Sequence, residues 1–141
     1  LNNVHEGGFL ITKVNHQAGK IFSKILHEHN IKLKQGEGRV LFTIWSNDGI
    51  SFTDVVKKTQ IPKSTLAETL DRLENAGYIT RITAEHDRRK VLLRITDKTK
   101  GFQKALDKVS EDMTNIFYRG FEPEEIDEFE KYLRRILDNL S

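Results

Sequence analysis

Between Ser51 and Thr96 the hydrophobic period switches from helical to alternating, and that switch constrains the chain more than any other feature. Phe52, Val55 and Val56 recur at helical spacing and predict a short helix over 52–59. Pro62 opens a second helix, where its missing N–H is harmless, and Leu66, Leu70 and Leu73 give that helix an inward stripe. Asn75, Ala76 and Gly77 end it, with glycine at the point where a left-handed backbone is needed. A strand pattern then takes over: Tyr78–Thr83 and Lys90–Ile95 read as two strands about a polar turn, Ala84–Arg89. Leu92 breaks the alternation of Val91, Leu93 and Ile95, so one apolar side chain is expected to face a neighbouring element. Two short helices followed by a hairpin with a basic tip form the layout of a winged helix-turn-helix. In that layout one helix enters the major groove of DNA and the hairpin reaches along the backbone toward the minor groove.

Longer helical patterns flank this unit. Leu10, Val14, Ile21, Phe22, Ile25 and Leu26 predict a helix over 9–29, and Val40, Leu41, Ile44 and Trp45 one over 35–46, stopped by Asn47–Gly49. After Asp97, Phe102, Leu106, Val109, Met113, Ile116 and Phe117 line a further helix; Gly120–Pro123 breaks the run. Ile126, Phe129, Leu133, Ile136, Leu137 and Leu140 stripe the last one, with Glu122, Glu124 and Glu125 at its positive N-terminal end. The expected fold is therefore mainly α with a small β-hairpin wing, in one domain over residues 1–141. Residues 36–96 would form the DNA-binding lobe, and 1–30 and 101–141 the dimerisation helices. A reading unit does not need three long helices, so their stripes bury either on one another or, the preferred reading, on a second copy. A symmetric dimer also sets two reading helices about one DNA turn apart.

Charge supports this division. Net charge is only +2, but residues 51–101 carry 11 basic and 7 acidic side chains, and residues 102–141 carry 6 and 10. The absence of cysteine removes disulfides, thiolate metal sites and thiol redox chemistry. No apolar run is long enough to span a bilayer and no secretory signal pattern is present, so no membrane partner and a cytoplasmic location are expected. His5, His16, His27, His29 and His86 form no H-E-x-x-H or three-ligand pattern, and no nucleophile elbow, P-loop or dinucleotide turn is present. Neither catalytic residues nor a cofactor are expected.

Specific residues can do the reading. Lys63, Ser64 and Thr65 stand at the start of the second helix, where short hydroxyls and an ammonium meet phosphates or base edges. Glu68, one turn on, can accept from a cytosine amino group. Arg72 lies farther down that side and meets either a phosphate or Glu68 at i,i+4. On the wing, Arg88, Arg89 and Lys90 suit a narrow, negative minor groove, with Asp87 expected to hold one arginine through a bidentate pair. Lys57 and Lys58 are weaker phosphate candidates, while Arg81 and Arg94 are either phosphate contacts or structural ion pairs. The competing readings are a winged helix used for protein assembly and an architectural DNA-binding protein with no effector.

The run STLAETLDRLENAGYITR followed by DRRKVLLRIT resembles the MarR family of transcriptional regulators. The matching positions are Ser64 and Thr65, Asp71 to Glu74, Gly77, and the wing aspartate and arginine at Asp87 and Arg89. The resemblance implies a homodimer joined by N- and C-terminal helices and bound to palindromic double-stranded DNA, usually as a repressor. It also implies release by a small aromatic compound held between the dimer helices and the reading lobe. By position, that cleft would involve Phe22, Leu41, Trp45 and Phe102; the resemblance also admits a metal effector. Two departures stand out. Ala67 and Glu68 replace a polar residue and an arginine common in the family, so base readout differs. Thr99 occupies the position of a usual glycine, with Gly101 two residues late.

Overall fold

The computed structural model describes residues 4–141. Among the described residues seven helices and three strands follow in the order α1 (Gly7–Glu28), α2 (Gln35–Ser46), β1 (Ile50–Ser51), α3 (Phe52–Thr59), α4 (Lys63–Asn75), β2 (Ile79–Ala84), β3 (Asp87–Ile95), α5 (Asp97–Lys100), α6 (Gln103–Phe117) and α7 (Pro123–Leu140). The three strands form one antiparallel sheet in the order β1-β3-β2. The chain is thus mainly helical with a small wing.

Local chemistry explains most boundaries. The Ser51 hydroxyl accepts from the Asp54 N–H at 3.1 Å and caps α3. Gln60, in the left-handed region at φ 57°, ends it. Gly77, at φ +84°, turns the chain out of α4 into β2. The region between Thr96 and Gln103 departs from the expected single helix. Thr96 caps a four-residue turn, α5, and α6 begins only after Phe102.

The core lies where α1, α2, α3, α4, α6 and the sheet meet. Leu26, Ile31, Val40, Leu41, Ile44, Val55, Leu66, Leu70, Leu93 and Leu106 are fully removed from solvent there. Each such side chain contributes about 1.5–3 kcal/mol of burial. Gly38 explains how α1 and α2 approach: a Cβ at that position would meet Leu26 Cδ1 at 2.6 Å and Phe22 Cε1 at 2.9 Å.

Two expectations change. The third strand, β1, was not visible in the sequence. It pairs Ile50 with Leu93 and Ser51 with Leu92, and Leu92 is the residue that interrupts the alternation. Two residues are too few to show a period. The first helix also buries only Ile25 and Leu26 of its stripe; Leu10, Val14 and Ile21 stay exposed. Helix α7 buries none of its residues. Phe9 is 71% exposed and Leu140 is 79% exposed.

Candidate nucleic-acid interface

Helix α4 presents two unlike faces. Leu66, Leu70 and Leu73 are buried, whereas Lys63, Ser64, Thr65 and Glu68 are exposed. Pro62 is the N-cap rather than the first helical residue, and no side chain caps the first turn. Backbone N–H groups and the positive end of the helix are therefore presented between the three polar side chains, a favourable setting for phosphate.

Ion pairs brace the helix on two sides. On one, Arg72 Nε donates to Glu37 Oε1 of α2 at 2.9 Å. The expected i,i+4 partner Glu68 is not the one used, because Glu37 is buried and its carboxylate needs a cation more than an exposed one does. On the other side, Arg81 of β2 pairs with Asp71 and with Glu74. Of the two roles open to Arg81, the structural ion pair is the one seen. The D-R-L-E run of α4 thus ties it to α2 through its arginine and to the wing through its two acids.

The wing differs from the expected six-residue turn. Strand β3 starts at Asp87, and only Glu85 and His86 separate the strands. Thr83 pairs with Val91, yet Ala84 pairs with Asp87. Arg88, Arg89 and Lys90 are therefore the extra residues of a bulge, without partners on β2, and all three are exposed. A bulge re-aims side chains and frees them from the ladder, and here it concentrates three positive charges at the hairpin tip. Asp87 holds Arg89, but not through a bidentate grip. Its Oδ1 accepts from the Arg89 backbone N–H at 3.0 Å and lies 3.6 Å from Nε, leaving the Arg89 side chain 95% exposed. Lys57 and Lys58, in the last turn of α3, are exposed as well.

A cleft of about 540 Å³ opens between α1, α2 and α6. Asn15, Phe22, Arg39, Phe42, Lys58 and Met113 are among its walls, and Arg39 Nη2 donates to Asn15 Oδ1 at 2.8 Å. Of the four expected ligand contacts, only Phe22 lines this cleft. Leu41 is fully buried in the core. Trp45 packs edge-on against Phe42 at 5.4 Å, and Phe102 leans on Tyr78 at 6.2 Å. Helical spacing places Phe42 and Trp45 about 60° apart, too close for sequence to decide which one faces the opening. Arg39 carries no sequence signal beyond being a charged helix residue.

Elsewhere, His29 lies 3.9 Å from Asp112, which also pairs with Lys108 at 3.0 Å. Hydrogen bonding to Asp112 and the nearby acids raise the Lys108 pKa. Among the described residues no three His, Asp or Glu side chains converge on a metal position, and no helix is long and apolar enough to cross a membrane.

Comparison with known proteins places this geometry. The model of the MarR family matches residues 33–91, the stretch from the start of α2 to the wing. The chain is 27% identical over 99 residues to the HTH-type transcriptional regulator TtmR of Methylorubrum extorquens, covering 70% of this chain and 50% of that protein, so the match spans about half the length of that relative. Among solved structures, a mutant MarR from E. coli complexed with operator DNA superposes with a TM-score of 0.77 at 22% identity, over 92% of each chain. Bordetella bronchiseptica BpsR, solved in work on regulation of its DNA binding by 6-hydroxynicotinic acid, superposes with a TM-score of 0.75 at 25% identity, over 93% of this chain and 92% of that one. The family and this relative are transcriptional regulators, not enzymes. The helix-turn-helix, its braced second helix and most of the wing fall within residues 33–91, the segment that matches the MarR family model.

Proposed function

We propose that this chain is a sequence-specific, double-stranded-DNA-binding transcriptional regulator that acts in the cytoplasm as a homodimer, most simply as a repressor at a palindromic operator. The observation that carries the reading is the joint exposure of an uncapped α4 N-terminus and a bulged basic wing tip on one braced unit. In this reading Lys63, Ser64 and Thr65 meet phosphates and base edges in the major groove, Glu68 reads a cytosine amino group, and Arg88, Arg89 and Lys90 follow the adjacent minor groove. Asp87 limits the poses of Arg89. The likeness to the E. coli MarR crystallised with operator DNA supports this placement.

The unburied stripes of α1 and α7 support the dimer. They belong to the segments 1–30 and 101–141; residues 1–3 of the first lie outside the described residues. Among the described residues Leu10, Val14, Ile136, Leu137 and Leu140 stay exposed, and a second copy would cover them by symmetry. The cleft with Phe22, Phe42 and Arg39 is the seat for a small aromatic effector, a reading supported by BpsR, whose DNA binding is described as regulated by 6-hydroxynicotinic acid. An effector that favours another spacing of the two reading lobes weakens DNA affinity by a coupling of about 1–3 kcal/mol.

The test is sedimentation of the purified chain together with selection from randomised duplexes in moderate salt. A dimer that enriches a palindrome supports the regulator. A monomer, or a dimer that enriches no sequence, overturns it in favour of an assembly module or an architectural protein.

A further inference from the structure

Glu37, the third residue of α2, takes the usual acidic place of a capping box, but its burial is unusual. It is only 9% exposed, yet it carries a full carboxylate. Its two oxygens serve two elements. Oε2 accepts from the Lys34 N–H at 3.3 Å, closing the N-terminus of α2, and Oε1 accepts from Arg72 Nε of α4 at 2.9 Å. Arg72 Nη2 also reaches Thr69 Oγ1 at 3.4 Å. The Arg72 side chain is nevertheless 51% exposed. It sits about 20° round the α4 axis from Thr65 and about 40° from Glu68, the exposed reading side of the helix.

A free guanidinium there would add one phosphate contact that is the same for every sequence. Such a contact raises affinity for every duplex by the same factor, so the protein is held more tightly on random DNA with no gain in discrimination. Glu37 opposes this twice. It engages Nε, one of the donors a phosphate would use, and it places a negative charge behind the guanidinium that offsets its attraction for phosphate. It also fixes Arg72, and with it one side of α4, against α2.

We propose that Glu37 is a positioning residue that holds down sequence-independent affinity: it withholds Arg72 from the phosphate backbone. The proposal rests on the DNA-binding reading above. The experiment compares wild type, Glu37→Gln, Arg72→Met and the double variant on a random-sequence duplex and on the duplex enriched by selection, across salt. Glutamine keeps size and one acceptor but loses the charge. The expected result for Glu37→Gln on the random duplex is a salt slope steeper by about 0.9 per protomer, which gives about 3.5-fold more gain in affinity per protomer on lowering salt from about 200 to 50 mM. The ratio of specific to random binding stays at the wild-type value, because the added contact is common to both duplexes. Adding Arg72→Met restores the wild-type slope.

A wild-type slope in Glu37→Gln, or a change that persists in the double variant, overturns the proposal. Arg72→Met alone gives a check that does not depend on how Glu37→Gln folds. Its slope is expected to match wild type, and a slope flatter by about 0.9 would show that Arg72 already contacts phosphate and overturn the proposal. If wild type itself shows no salt-dependent duplex binding, the DNA reading fails first and takes this inference with it.

Discussion

Replacing Thr99 by valine tests how the wing is joined to the C-terminal helices. Thr99 is fully buried, and its hydroxyl donates to the Tyr78 carbonyl at 2.6 Å. Valine has nearly the same shape, so the change removes a hydrogen bond and leaves no cavity. The Tyr78 carbonyl is not left unpaired, because it still accepts from the Thr96 N–H at 3.2 Å. Thr96 in turn keeps its own bond to the Gly77 carbonyl at 2.6 Å. The loss should therefore be that of one net hydrogen bond, about 1 kcal/mol, without the further penalty of roughly 1–3 kcal/mol for an abandoned buried acceptor. For a chain of this size that corresponds to a fall of about 3 °C in melting temperature. Urea unfolding followed by circular dichroism, at one fixed chain concentration, measures it, with the slope against urea unchanged. A loss above about 3 kcal/mol would mean that the Tyr78 carbonyl relies on Thr99 alone. No loss at all would mean that the hydroxyl contributes nothing to the junction, and either result refutes the reasoning.

Other outcomes follow from the same geometry. Leu70→Ala, at a fully buried position in the α4 stripe, should cost about 2–5 kcal/mol in the same urea experiment; a loss under 1 kcal/mol would mean the site collapses around the gap. Arg88→Ala with Arg89→Ala should flatten the salt slope of duplex binding by about 1.8 per protomer, and an unchanged slope removes the wing from the interface. Leu137→Asp, on the uncovered stripe of α7, should give a slower-sedimenting species; an unaltered sedimentation coefficient argues that this face is not where two copies meet. Burial, and then the bond from its hydroxyl to Glu130 at 2.7 Å, push the Tyr118 phenol up from 10.0 to about 12. Because the folded value is raised, the stabilisation is complete below pH 10 and is lost as pH rises through about 12. Absorbance titration of wild type against Tyr118→Phe should show that late-ionising phenol, and a difference curve centred near 10 would contradict it.

Much of the fold was legible because its signals are long and local. Leu66, Leu70 and Leu73 repeat over several turns, and Pro62, Asn75 and Gly77 mark the ends. What was not legible depends on partners distant in sequence. Glu37 and Arg72 are 35 residues apart, so local spacing pointed to Glu68 instead. The bulge at Arg88–Lys90 arises from which β2 residue each β3 residue faces, and a run of charges does not reveal pairing. β1 exists because Leu92 and Leu93 offer backbone groups to Ile50 and Ser51, an attraction that two residues cannot advertise by pattern. In the cleft, Leu41 and Phe22 were equivalent apolar helix positions; only the close approach of α1 and α2 over Gly38 decides which is core and which is wall.

The unpaired stretch of the hairpin also governs where this chain tolerates a change of length. Side chains of a strand alternate strictly, so one residue inserted between Val91 and Leu93 would turn Leu93 outward and empty its place in the interior. The same insertion beside Arg89 meets no cross-strand partner and is taken up by a larger loop-out, at an entropic cost that grows only slowly with length. Insertions and deletions should therefore accumulate at the tip and be purged a few residues later. The distance the hairpin extends from the body of the molecule can drift in evolution, or be engineered, while the interior behind it stays as it is.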